Sequence, residues 1–171
     1  MTADWPYSML PLPGWEVLPQ VASVRVATEN DIPRILELYR ELSLGMGDVE
    51  RGLRPSQDDY RNVFAEISAD PRHELLVAED DGRVVGTVVL VVVPNLSHAG
   101  TPWALVENLV VAEKQRHRGF GRLLLEYVVT RAREKGCHRI ELCSDKRREA
   151  AHQLYRAVGF EPSAHGFRIY F

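Results

Sequence analysis

Hydrophobic and polar positions change period several times along the chain, and each change marks an element. SVRVAT, from Ser23, alternates as a first strand. Thr28 to Asp31 then offers helix-capping side chains, and Pro33 suits a first turn whose N–H has no intrahelical partner. Ile32, Ile35, Leu36, Tyr39 and Leu42 follow at helical spacing. A loop, LGMGDVERGLRP, leads to Ser56, the cap of a second helix with Tyr60, Val63, Phe64 and Ile67 on its apolar face, ending before Asp70-Pro71. HELLVAED and RVVGTVVLVVV flank Asp81-Gly82, a strong hairpin signal. The second run is apolar almost throughout, which predicts a central strand covered on both faces.

PNLSHAGT links this hairpin to another strand, WALVENLVV. A helix opened by Gly119 carries Phe120, Leu123, Leu124, Tyr127 and Val128 and stops at Lys135-Gly136. HRIELCS is the next strand. Ser144 or Asp145 is expected to cap a last helix bearing Ala151, Leu154, Tyr155 and Val158, which Gly159 closes; GFRIYF makes a final strand. The order β-α-α-β-β-β-α-β-α-β predicts an α/β (α+β) fold, a mixed sheet with helices on its faces. Residues 1–20 stand apart as an arm in which four prolines alternate with Trp5, Tyr7 and Trp15, aromatics that suit packing on the domain or on a second copy in a homodimer. Residues 21–171 form a single domain.

Composition narrows the function. A chain of 171 residues with 45% apolar and 26% charged residues can bury one substantial core. A net charge of −3 argues against a nucleic-acid or membrane-surface partner. No run is long enough to span a bilayer, and MTADWPYSML lacks a basic leader, so a cytoplasmic setting is expected. Cys137 and Cys143, six strand residues and so roughly 20 Å apart, cannot bridge each other and lack metal-ligand spacing; no metal is expected. Charge is unevenly placed: Lys114, Arg116, Arg118 and Arg122 cluster, as do Lys146, Arg147 and Arg148, while Asp48, Glu50, Asp58 and Asp59 are acidic.

The stretch RHRGFGRLLLEYVV carries the first chemistry. It fails the dinucleotide fingerprint, which wants a glycine at Leu124, and the nucleoside-triphosphate loop, which wants Lys-Ser or Lys-Thr after Gly121. A helix N-terminus nevertheless presents open N–H groups and a positive dipole end, and glycines allow close approach. Taken alone, the loop suits either an anion cradle or a glycine-eased turn with a solvated basic rim.

Its context resembles the GNAT superfamily of N-acetyltransferases. Arg116-His117-Arg118-Gly119-Phe120-Gly121 fits that superfamily's Q/R-x-x-G-x-G/A loop, and Leu154-Tyr155 with Gly159-Phe160 fits its C-terminal Tyr-x-x-x-Gly-Phe helix end. Element order matches from about Ser23 to Phe171. The resemblance implies a centrally splayed sheet and acetyl-coenzyme A as the donor. Backbone N–H groups of His117, Arg118, Gly119, Phe120, Gly121 and Arg122 would hold its pyrophosphate, with Arg116, Arg118 and Arg122 near the phosphates. Leu109, Val110 and Val111, on a typically bulged strand, would face the pantetheine arm.

It also implies a small-molecule or peptide amine as acceptor. Glu107, a carboxylate in an otherwise apolar strand, would take the amine's proton, directly or through water; its bland alternative is a solvated edge glutamate. Tyr155 would protonate the leaving thiolate; otherwise it is a core tyrosine. Arg148 stands where many members carry a pantetheine-binding asparagine, so that contact is either lost or replaced by the arginine reaching a carbonyl or phosphate, and His152 reads as a surface residue. Loops Gly45 to Pro55 and Pro94 to Trp103 would line the acceptor site, with Asp48, Glu50, His98 and Trp103 as walls. No cysteine is expected in the site, which favours direct transfer over an acetyl-cysteine intermediate. The rival from another class is a coenzyme A-binding sensor that has lost catalysis.

Overall fold

A computed structural model describes residues 22–44 and 55–169 of the chain, so the N-terminal arm and the loop bearing Asp48 and Glu50 lie outside the described residues. Five strands form one sheet in the order β1 (Ser23–Val26), β2 (His73–Asp80), β3 (Arg83–Val93), β4 (Trp103–Val111) and β5 (Ile140–Leu142). The first four are antiparallel neighbours; β5 runs parallel to β4. Helices α1 (Ile32–Leu44) and α2 (Gln57–Ala69) precede β2, and α3 (Ser97–Gly100) is one turn between β3 and β4. Helix α4 (Phe120–Glu134) follows β4, and α5 (Glu149–Val158) follows β5.

Local signals explain most of these boundaries. Before α1, Thr28 donates its N–H and hydroxyl to Asp31 at 2.7 and 2.9 Å. At α2, the Ser56 N–H reaches the Asp59 carboxylate at 2.7 Å, while the Asp59 N–H reaches the Ser56 hydroxyl at 3.2 Å, a reciprocal capping box. Asp81 and Gly82, both at positive φ, turn β2 into β3 with Asp80 opposite Arg83.

The apolar run of β3 is covered on both faces, as expected of it. Val88 and Leu90 join Leu76, Phe120, Leu124 and Val128 beneath α4, whereas Val89 joins Ile35, Leu75 and Val77 beneath α1 and α2. Alternate side chains of one strand therefore serve two cores.

Three expectations are corrected. HRIELCS contributes only Ile140–Leu142 to the sheet, because β4 stops pairing with it after Val106. GFRIYF makes no strand through Ile169; residues 161–169 are exposed and join no strand, Phe167 and Ile169 included. Neither Ser144 nor Asp145 caps α5: Arg148 is at the N-cap, and Asp145 instead accepts the Arg147 N–H at 2.9 Å in the preceding turn.

Candidate active site

The β4–β5 ladder is short. Ala104, Leu105 and Val106 pair with Ile140, Glu141 and Leu142, and there it ends. On its other side, β4 shifts register against β3: Glu107 pairs with Val89 but Val110 with Thr87, leaving two residues of β4 opposite one of β3. Asn108 sits in this bulge at φ 54°, a left-handed conformation that asparagine tolerates better than most residues. The bulge bends β4 away just where β5 would continue.

A cleft of about 80 Å³ opens at that divergence. It is lined by Glu107, Asn108 and Leu109 from β4, by Cys143, Ser144 and Asp145 after β5, and by Arg148, Tyr155 and Arg168. Sequence positions more than 40 residues apart are thus brought to one place, Glu107 and Tyr155 among them.

Tyr155 is 7% exposed and held from two sides. Gly159 takes φ 103°, ending α5 and turning the chain so that the Phe160 N–H reaches the Tyr155 carbonyl at 2.9 Å. The Phe160 ring then meets Tyr155 edge-on, centroids 6.3 Å apart. The Gly-Phe pair of the sequence motif is therefore what orients the tyrosine. His152, half-buried rather than on the surface, lies 6.4 Å from the same ring.

The glycine loop forms a second set beside the cleft. His117 and Gly119 both adopt positive φ, and the first α4 bond runs from the Leu123 N–H to the Gly119 carbonyl at 3.0 Å. Phe120, Gly121 and Arg122 consequently present N–H groups that the helix does not use. Gly121 is at the packing limit: a Cβ there would stand 3.0 Å from Leu154 and 3.8 Å from Val111. It lets the start of α4 close onto the residue next to Tyr155, which joins the loop to the cleft.

The arginines are less free than their spacing implies. Arg118 bonds Gln115 and, at 3.1 Å, Asp80, with its guanidinium 5.5 Å from the Phe120 ring centroid. Arg122 pairs with Glu126 at 2.6 Å, and Arg116 reaches the Val111 carbonyl at 3.2 Å. Of the three strand residues, only Leu109 lines the cleft; Val110 is 4% exposed and packs with Leu38 and Ala112.

Two further expectations fail. His98 and Trp103 do not line this cleft: His98 stacks on His138 at 4.2 Å, and Arg139 covers Trp103 at 4.9 Å. Cys143, expected outside the site, lies in it, because β5 ends one residue earlier.

Sequence reasoning also missed Tyr39, noted only as part of an apolar face. Burial pushes its phenol up to about 12, against hydrogen bonds to Asn108 and Thr87 that pull it down. Tyr39 thereby ties α1 to the bulge. Asp145, also in the cleft, is held far below the usual carboxylate range, first by the Arg147 side chain, then by the Arg147 N–H, with Arg168 adding a weaker pull. Among the described residues, no group of three or more His, Cys, Asp or Glu could hold a metal, and no helix is long and apolar enough to cross a membrane.

Comparison with known proteins agrees with this geometry. An aminoalkylphosphonate N-acetyltransferase of Salmonella typhimurium is 30% identical over 149 residues, 86% of this chain and 90% of that protein. A glucosamine 6-phosphate N-acetyltransferase of Trypanosoma brucei is 28% identical over 152 residues, 85% of this chain and 93% of that one. The solved structure of an Agrobacterium tumefaciens protein, described as a candidate acetyltransferase, superposes with a TM-score of 0.78 at 32% identity, covering 87% of this chain and 99% of its own. Since the family model for GNAT acetyltransferases matches residues 33–160, with the bulged strand, the glycine loop and Tyr155 inside that span, the chain belongs to the acetyltransferase (GNAT) family.

Proposed function

We propose that this N-acetyltransferase works by direct transfer, in a ternary complex with acetyl-coenzyme A and a small-molecule primary amine. An alkylamine has a pKa of about 10.4 and is cationic at neutral pH, so it must lose a proton before attack. Glu107 takes that proton, directly or through water. The nitrogen lone pair then attacks the thioester carbonyl carbon; the N–C bond forms, the C–S bond breaks, and Tyr155 protonates the departing thiolate. Of the two protons the ammonium loses, one ends on the coenzyme A thiol and one in solvent. The observation that carries this reading is that Glu107 and Tyr155, from different elements, line one cleft where β4 and β5 part.

The donor fits the residues beside that cleft. The open N–H groups at the start of α4 suit a pyrophosphate, and backbone from Leu109 to Val111 suits the amides of the pantetheine arm. With Arg118 and Arg122 engaged by carboxylates, the loop backbone carries more of the phosphate contact than their charges do. An N–H at the bulge would hold the oxyanion formed during attack.

Arg148 and Arg168 give the cleft a cationic wall, which suits an acceptor that carries an anionic group as well as its amine. The Salmonella and Trypanosoma relatives act on aminoalkylphosphonate and glucosamine 6-phosphate, amines of that kind. The test is a coenzyme A-release assay over aminoalkylphosphonates, glucosamine 6-phosphate, aminoglycosides, amino acids and peptide N-termini. Highest kcat/KM is expected for a phosphorus-bearing amine, and turnover of peptides alone would overturn the small-molecule reading.

Cys143 makes the direct route testable too. Cys143→Ser should keep turnover, with intersecting initial-rate lines. An inactive variant together with parallel lines in the wild type would establish an acetyl-cysteine intermediate instead.

A further inference from the structure

A groove of about 200 Å³ opens between the last turns of α2 and the adjoining ends of β1 and β2. Val26 and Ala27, Phe64 and Ile67, and Leu75 give it an apolar lining, and it shares no lining residue with the cleft of Glu107 and Tyr155. Apolar surface stays open around it. Helix α2 has no buried residue, Val26 is 58% exposed, and Val63, one turn before Ile67, is 52% exposed. Contiguous open apolar surface of this kind marks a place where another segment or partner sits. We propose that the groove is the docking site of the chain's own N-terminal arm, with the Trp15 ring seated between α2 and β1.

Reach, size and chemistry select this occupant. The arm joins β1 through Ala22, and Ser23 to Val26 spans only roughly 10 Å of strand. The seven residues from Trp15 to Ala22 extend up to roughly 25 Å, so a chain doubling back along β1 brings Trp15 to Val26 with slack. β1 is an edge strand, paired with β2 alone, so the returning chain displaces nothing and covers an open edge. An apolar cavity of about 150 Å³ already holds a benzene ring, so this groove takes one large aromatic side chain. Asp70, on its rim, accepts the Arg72 N–H at 2.9 Å and keeps carboxylate lone pairs for an indole N–H. Pro11, Pro13 and Pro19 around Trp15 leave the segment little conformational freedom to lose on docking. The chain's other candidate segments enter elsewhere. The α1–α2 loop meets α2 at its first turn, about 15 Å of helix before Ile67. Phe167 and Ile169 follow Gly166, which packs near Cys143 beyond β5, four strand spacings or roughly 19 Å from β1.

Tryptophan fluorescence tests the docking in the full chain. With Trp5→Phe and Trp103→Phe in place, Trp15 is the sole tryptophan. Its emission should be blue-shifted and shielded from acrylamide. Adding Val26→Asp, at a largely exposed position, should return Trp15 to the emission and quenching of a solvated indole, with the far-UV circular dichroism unchanged. Trp15→Ala in the otherwise native chain should lower the melting temperature by about 2–6 °C. The same substitution should cost clearly less once Val26→Asp is present, because neighbours in contact do not add.

Trp15 as open to acrylamide as free indole before Val26 is changed would overturn the proposal. Shielding that ignores Val26→Asp would also overturn it, by seating the ring elsewhere. Shielding that fades on dilution, in step with a fall in mass by light scattering, would give the groove to a second copy's arm instead. Should Val26→Asp disturb the circular dichroism, Trp15→Ala decides alone, since it leaves every groove residue in place: an unchanged melting temperature would overturn the docking. None of these readouts depends on acetyl transfer, so their failure leaves the proposed reaction untouched.

Discussion

Two parts of the sheet are built from similar residues and behave differently. β2 pairs with β3 along its whole length, Asp80–Arg83 to His73–Val91, with one register shift and apolar side chains buried on both faces. β4 and β5 also draw on branched aliphatic residues, yet they pair over three residues and part. What differs is local. The β2–β3 connection puts its positive-φ residues, Asp81 and Gly82, in the turn, where they preserve the ladder, whereas β4 puts Asn108 within the strand, where it breaks register. One part of the sheet thus serves stability, while the other opens a cleft lined by polar side chains. In this fold, the candidate site lies where the sheet stops pairing.

The largest effect that separates the two parts should come from Tyr155. Tyr155→Phe keeps the ring against Phe160 but removes the proposed acid, so kcat should fall by about 10²–10⁴-fold. Coenzyme A affinity should stay within about twofold and melting within a few degrees. Unchanged kcat would take Tyr155 out of the chemistry.

A matched pair tests the comparison itself. Asn108→Val and Asp81→Val each force a β-branched residue into a left-handed conformation, at a cost of about 1–2 kcal/mol. Both should lower stability by similar amounts in denaturant titration. Only Asn108→Val, at the bulge, should also lower kcat/KM, by roughly tenfold or more through misplacement of Glu107. Equal activity in the two variants would mean that the bulge plays no part in shaping the site.

Tyr39→Phe is a milder probe of the same bulge. It leaves the buried ring and removes hydrogen bonds to Asn108 and Thr87, which should cost about 1 kcal/mol of stability. kcat/KM should drop severalfold, less than for Asn108→Val. A stability loss with kcat/KM untouched would confine Tyr39 to the core.

What could be read in the sequence follows from range. Thr28, Ser56, Asp81-Gly82, Gly119 and Gly159 act on chain within a few residues, so the boundaries they mark were legible. GFRIYF alternates like a strand, but a strand also needs a neighbour, and no residue pattern shows that β5 has already been shortened. The same shortening brings Cys143 and Ser144 into the cleft. Arg118 looked available because its partner, Asp80, lies 38 positions away, at the end of β2. Glu107 stood out as a carboxylate in an apolar strand and Tyr155 through the helix-end motif; Tyr39, whose hydroxyl acts through tertiary contact alone, did not.

The smallest expected effect lies in the stable part of the sheet and concerns pH. Arg25, on β1, holds the Asp31 carboxylate at 2.7 Å and Glu79, on β2, at 2.7 Å. The Arg25 hydrogen bond, outweighing the cost of burial and aided by Thr28, lowers Asp31 to about 2. A carboxyl held below its unfolded value of about 3.9 contributes stability that is fully present above pH 4 and is lost as pH falls through 2. Because Arg25 is about one-third exposed, water screens the pair, and the contribution is on the order of 1 kcal/mol, or about 2–4 °C in melting temperature. Asp31→Asn should therefore melt a few degrees lower than wild type at pH 7, and the gap should close towards pH 2, while coenzyme A affinity at pH 7 is unchanged. A gap that persists at pH 2 would assign the loss to the capping geometry around Thr28 rather than to the charge. A fall in coenzyme A affinity would show that the paired edge of the sheet and its open edge are coupled.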